Sequence, residues 1–233
     1  MRMSRLIGVQ KQNNDPLTFY DYMVANRPSG IYQSVEIPLD ITTSDVRIVT
    51  TVGWIGEYAS TSDSMLASQL GEANTRQAHG FGLVHYLDPQ SYYPDQRFGY
   101  LEDRLTYASL GPDLEQNQWH QVTAVFNGSD TQLTIDGVQY PSVTGTYEDA
   151  GNPWKLFYST PKSIGVCEIL FYDLEDNALA SLVPCVKRPG RYIGMYDRIN
   201  DVFYPSYLGS DPQTLSSAVF TVGYFAEGGL NGE

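Results

Sequence analysis

The chain has 233 residues, with 14 Lys and Arg against 27 Asp and Glu, for a formal net charge of −13 at pH 7. With 42% hydrophobic residues it can build a core, but no run reaches the ~20 apolar residues of a membrane-spanning helix. The cations are few and scattered, which argues against nucleic acid or anionic lipid as a main partner, since both need clustered Lys and Arg.

In chain order, residues 1–18 are polar, start with basic residues and end near Asp15-Pro16. They lack the ~7–15 apolar residues of a secretory signal, so the expectation is a short arm or anchoring peptide on a cytoplasmically made protein. Residues 19–233 show no composition shift and are expected to form one domain. Short runs with strand character follow at 31–37 and 46–52, and then 62–70 suggests a short turn of helix. Another strand is expected at 80–86. The stretch 86–118 is the least regular, and a connection this long is usually functional or holds structure of its own.

The clearest pattern starts at Trp119. Val122, Ala124 and Phe126 share one strand face, with Gln121 and Thr123 on the other. After the turn Asn127-Gly128-Ser129-Asp130, Leu133 and Ile135 repeat the alternation, and Asp136-Gly137 marks a tight hairpin into Val138-Gln139-Tyr140. Strand runs at 154–158, 164–172, 179–186 and 219–225 complete the series. Many short β-branched and aromatic runs, separated by loops that draw on 21 Gly and 13 Pro, predict an all-β sandwich or barrel.

Candidate chemistry is sparse. Cys167 and Cys185 make neither a disulfide framework nor a zinc site, and are expected to be free, buried thiols. Glu168, Asp173 and Glu175, or Glu36 and Asp40, are the nearest approaches to a glycosidase pair, but their spacing does not aim two carboxylates at one face. His79 and His85 share a strand face and His120 is a third imidazole; hydrogen-bonded histidine is the expectation over a metal site. No metal or other cofactor is therefore expected, though Asp88, Asp95, Asp103 and Asp113 crowd the irregular stretch and keep loop calcium open. The most suggestive surface is 86–100, where Tyr92, Tyr93, Asp95, Arg97 and Tyr100 are the candidate ligand-binding residues. Tyr interleaved with Asp, Gln and Arg suits sugar stacking, a protein contact or simple packing.

The stretch Trp119-His120 through Phe126, followed by Leu133-Thr134-Ile135-Asp136-Gly137, resembles a signature of laminin-G-like and concanavalin A-like jelly rolls. A buried Trp at the strand entry and positive φ at the Asp-Gly turn account for it physically. A second resemblance covers 164–223. Glu168-Ile169-Leu170-Phe171-Tyr172-Asp173, Leu182-Val183-Pro184-Cys185, Ile193-Gly194-Met195-Tyr196-Asp197, Val202-Phe203-Tyr204-Pro205 and the closing Ala218 to Gly223 look like lectin-like domains of bacteriophage structural proteins.

The resemblance implies a concanavalin A-like jelly-roll sandwich in a virion, tail, fibre or capsid surface, assembled in the host cytoplasm and released by lysis. Its implied partners are other virion proteins, host-surface glycan and further copies of itself, with neither nucleic acid nor membrane insertion. Three functions remain open: non-enzymatic adhesion, capsid decoration through protein contacts alone, and polysaccharide cleavage.

Overall fold

A computed structural model describes residues 17–26, 35–55, 64–69, 79–86, 95–101, 107–113, 115, 117–144, 151–157, 164–217 and 219–226. These form strands without a helix: β1 (Leu17–Phe19), β2 (Tyr22–Ala25), β3 (Val35–Pro38), β4 (Val46–Trp54), β5 (Ser64–Ser68), β6 (Gly80–Tyr86), β7 (Asp95–Leu101), β8 (Tyr107–Asp113), β9 (Trp119–Asn127) and β10 (Asp130–Ile135). Then come β11 (Val138–Gln139), β12 (Val143–Thr144), β13 (Lys155–Leu156), β14 (Ile164–Tyr172), β15 (Ala178–Lys187), β16 (Tyr192–Asp197), β17 (Val202–Pro205), β18 (Tyr207–Leu208), β19 (Asp211–Pro212) and β20 (Phe220–Gly223).

The strands pair antiparallel in two sheets. The first runs β11-β10-β9-β4-β14-β15-β16-β17, with β12 beside β10 and the chain ends added through β1, β2 and β20. The second runs β19-β18-β3-β13-β5-β6-β7-β8. Side chains meet between them: Phe81 of β6 lies 6.4 Å from Phe126 of β9, and Phe157, just after β13, lies 5.7 Å edge-on to Phe220 of β20. This is the all-β jelly-roll sandwich the alternation predicts, with alternate residues of each strand turned inward.

The 119–140 meander forms as expected. Val122, Ala124, Phe126, Leu133 and Ile135 are buried, and Asp136 and Gly137 hold φ of 51° and 81°, the left-handed pair of a two-residue hairpin. Trp119 differs from the expectation of a buried anchor. Its odd position puts it on the outer face, half-buried, with its indole over Gly53 and Gly165, where a Cβ would come within 2.9 and 2.7 Å of it. The central Trp is instead Trp154, which donates from Nε1 to the Thr43 carbonyl at 2.8 Å and packs between Phe126 and Phe171.

The short helix expected over 62–70 is a strand where it is described. Ser64–Ser68 pairs with β6 on one side and β13 on the other. Met65, Leu66 and Ala67 favour a helix locally, but sheet pairing and the burial of Leu66 and Ala67 outweigh that preference. The irregular stretch likewise holds β7 and β8. At the start of the chain, Leu17 and Thr18 already pair with Lys187 and Val186, so they belong to the sheet.

Between Val166 and Ile169, β14 carries one residue more than β4, a bulge that lets Val166 and Ile169 both face the core. The Thr50 hydroxyl donates to the Glu168 carbonyl there, at 3.0 Å. Beyond the bulge the sheet forks. β15 pairs with β14 only over Ile169–Tyr172, and β2 pairs with Ile164–Val166. The β1–β2 segment fills the fork, with Tyr20 N donating to the Pro184 carbonyl and Asp21 N to that of Gly223.

Candidate functional site

Of the sequence-predicted ligand residues, Tyr92 and Tyr93 lie outside the described residues. Asp95, Arg97 and Tyr100 are on β7, in register with Tyr86, Val84 and Phe81 of β6. Asp95 and Arg97 therefore share one parity along the strand and Tyr100 has the other. Asp88 and Asp103 also lie outside the described residues, and the backbone of Asp113 on β8 is in register with that of Arg97 on β7.

The other candidate groups have structural surroundings. His79 packs at a tilt against Phe126 in the core, with ring centroids 4.8 Å apart, while His120 Nδ1 meets Asp136 Oδ2 at 2.6 Å. At about 3.3 Å per residue, His120 lies ~20 Å along β9 from the ring that His79 touches, so the two do not converge. Glu36 pairs with Lys155 at 3.0 Å, and Glu168 accepts from the Ser181 hydroxyl at 2.7 Å. Asp173 caps its own turn, accepting from the backbone N–H of Glu175 and Asn177 and from the Asn177 side chain. The Asn177 side-chain bond, the largest cause, together with the two backbone donors holds its pKa below the ordinary value. Both cysteines are free; Cys185 is buried and Cys167, at the bulge, partly so, and desolvation pushes each thiol up to about 12.

A concave site lies instead at the fork of the first sheet. A hollow of about 470 Å³ is lined by Thr18, Tyr20, Val186, Arg188, Arg191 and Leu215, with Pro189 on its rim. Val186 belongs to the core, and Tyr20 and Leu215 pack against it, so the floor is apolar. The turn joining β15 to β16 supplies the rim. Its last paired residues are Lys187 and Tyr192, and Arg188 and Arg191 take the next two facing positions. The segment 214–216 closes the far side, held by Leu215 N donating to the Arg191 carbonyl at 3.2 Å and by a bridge between Tyr192 and Thr214. A second hollow of about 180 Å³, lined by Gly190, Arg191, Thr214, Leu215 and Ser216, shares two residues with the first and extends it. The floor of apolar and aromatic groups under a few polar ones, at this volume, is the usual make-up of a small-ligand site, whose range is ~300–1,000 Å³.

The outer face of the first sheet is the second unusual surface. Val24, Val183 and Cys185 are buried there, outside the main core, beneath aromatic rings. Phe19 lies 5.7 Å from Tyr196 and is 40% exposed, and Tyr196 pairs across the sheet with Phe203. Arg198 and Lys187 lie over the rings of Phe19 and Phe203 at 5.7 and 5.3 Å.

Sequence reasoning missed the hollow because three segments far apart in the chain build it. The available signal was the run Lys187-Arg188-Pro189-Gly190-Arg191, which places three of the chain's 14 cations within five residues of an acidic protein.

No family model and no curated protein matches the sequence. Solved structures do. A heptameric SAP-like pentraxin from Limulus polyphemus is similar at 9% identity and a TM-score of 0.44, over 69% of this chain and 78% of that one. Domains LG4-5 of the mouse laminin alpha1 chain are similar at 13% and 0.44, over 78% and 48%. A Caenorhabditis elegans galectin gives 10% and 0.37, over 67% and 98%. The two antiparallel sheets themselves make the fold class an all-β jelly-roll sandwich. At these identities and TM-scores the likeness carries no argument about ligand or partner.

Proposed function

We propose that this chain is a non-enzymatic, lectin-like structural protein of a bacteriophage particle, and that the hollow at the sheet fork holds host-surface glycan. The hollow carries the reading. Tyr20 offers a ring for the C–H face of a sugar, while Thr18 and the two arginines offer hydrogen-bonding groups at the rim. The virion setting rests on the sequence resemblance over 164–223, the region that forms β14 to β20. In this reading the protein assembles with other virion proteins in the host cytoplasm, as a homo-oligomer whose many copies raise a weak single-site affinity by avidity.

The test is a glycan array printed with bacterial surface polysaccharides, probed with the full chain and with Tyr20→Ala. The expected result is binding that drops about tenfold or more in the variant, survives chelation of divalent cations and yields no cleavage product. Absence of binding across the array overturns the glycan reading; loss on chelation assigns the work to loop calcium. Mass spectrometry of purified particles tests the virion assignment, and absence of the chain from them refutes it.

Capsid decoration through protein contacts alone is the second reading. The half-exposed Phe19, Tyr196 and Phe203 on the outer face favour it, since aromatic patches of this kind anchor protein interfaces. Decoration predicts that Phe19→Ser weakens attachment to the particle and leaves glycan binding unchanged.

A further inference from the structure

We infer that the hollow at the sheet fork selects an acidic glycan, seating an oxyanion of the sugar chain between Arg188 and Arg191. The inference rests on the glycan reading and goes beyond it in naming the ligand's charge. Four observations on the structure lead there.

The first is where the arginines stand. Beyond the last paired residues of the β15–β16 hairpin they occupy facing positions, and both line the same hollow. The turn between them is short, and Arg191 takes φ of 54°, a left-handed value that helps close the turn. The second is that among the described residues neither guanidinium makes an ion pair. The other arginines with described side chains do: Arg47 binds Asp176 at 2.6 Å, and Arg198 approaches Glu168 at 3.7 Å. In a chain with almost twice as many acids as bases, two adjacent cations left without a carboxylate stand out.

The third is the floor. Val186, Leu215 and Tyr20 exclude water from one side of the site, which strengthens a charge-assisted bond at its edge. The fourth is shape, since the planar guanidinium fork matches a carboxylate or phosphate with two parallel N–H donors. A neutral sugar would take single hydrogen bonds from the arginines but leave the paired donors of each fork unmatched. The net charge of −13 disfavours a polyanion at long range, so selectivity has to arise at contact, through this pair.

The experiment is titration calorimetry of the full chain against matched polymers that differ only in charge. One arm uses a uronic-acid polysaccharide before and after reduction of its carboxyl groups. The other uses a phosphate-bearing wall polymer before and after dephosphorylation. The proteins are the wild type and Arg188→Gln/Arg191→Gln, with Arg188→Lys/Arg191→Lys to keep charge and remove the forks.

The expected result is at least tenfold tighter binding of one charged polymer than of its neutral counterpart. The Gln pair should abolish that preference, bringing charged and neutral polymers to the same affinity, and the Lys pair should restore it only in part. Equal binding of charged and neutral polymers by the wild type, or a preference that survives the Gln pair, overturns the inference while leaving glycan binding standing. Failure of every polymer to bind a wild type that melts normally overturns both. The arm that responds identifies the oxyanion as carboxylate or phosphate.

Discussion

Gly194 sits where the chain leaves one sheet for the other. β17 belongs to the first sheet and β18 to the second, with Ser206 between them, fully buried, donating from both its N–H and its hydroxyl to the Ile193 carbonyl at 3.0 and 2.8 Å. A Cβ on Gly194 would fall 2.1 Å from the Tyr204 carbonyl oxygen and 3.0 Å from Pro205 Cα. Since Cβ contacts under 3.0 Å essentially do not occur, the backbone of β17 has to retreat by about 0.9 Å or more. It cannot rotate locally, because Tyr204 and Pro205 pair with Met195 and Gly194. Releasing β17 costs about three hydrogen bonds at ~1 kcal/mol each, so Gly194→Ala should destabilise by about 3 kcal/mol. For a domain of this size that lowers the melting temperature by about 6–12 °C. The sign makes the test sharp. Where a glycine is present without a steric need, Ala stabilises by ~0.4–1 kcal/mol through the unfolded chain. Urea unfolding followed by tryptophan fluorescence, with Trp154 as the buried reporter, reads the difference. A midpoint equal to the wild type's, or higher, refutes the crossover argument.

Trp154→Phe should cost about 1–3 kcal/mol, because it leaves the Thr43 carbonyl without its Nε1 donor, and Trp154→Ala about 3–5 kcal/mol through the cavity left between Phe126 and Phe171; chemical denaturation should rank them in that order. The native thiols should react little with a disulfide reagent at pH 8, and both should react in urea, since burial raises Cys167 and Cys185 to about 12; rapid native labelling of Cys185 would contradict its placement. Asp173 should titrate below the usual aspartate value near 3.8 when followed by NMR. Because its folded pKa is depressed, its contribution to stability is present above the unfolded pKa and is lost as pH falls through the folded one. Asn177→Ala should move that midpoint upward, and an unshifted midpoint would mean that the turn does not form as described.

Period-two alternation carried most of the fold because an antiparallel strand with one buried face writes its register into the sequence. β6 and β14 match the expected spans, and the Asp136-Gly137 turn matches in residue and conformation. The strand at 64–68 was obscured because Met, Leu and Ala at its centre carry a helix preference, and only partners from β6 and β13 decide otherwise. The strands β7 and β8 hide in a stretch where Pro, Gly and Asp interrupt the alternation. Gly194 is visible in the Ile193-Gly194-Met195 motif, but nothing nearby in sequence announces that β17 passes so close. The hollow was the least legible part, because its aromatic, apolar and cationic groups come from segments near residues 18, 187 and 215. Arg188 and Arg191 acquire meaning only once the β15–β16 hairpin brings them to the same rim.

The fork filled by β1 and β2 bears on the order of events during synthesis. These strands leave the ribosome long before the groups they bond to: the Tyr224 hydroxyl donates to the Phe19 carbonyl from 205 residues away, and Asn26 reaches Thr221 across 195. Met23 and Ala25, which end fully buried, have no sheet to join until β14 is made, and lack their second neighbour until β20 follows. The nascent chain therefore carries an apolar strand that waits until β14 and β15 are made, and the slot it will fill stays open on them until it docks. Anything that lengthens the wait, such as slow elongation between β2 and β14 or crowding of many nascent copies, favours filling one chain's slot with another chain's strand.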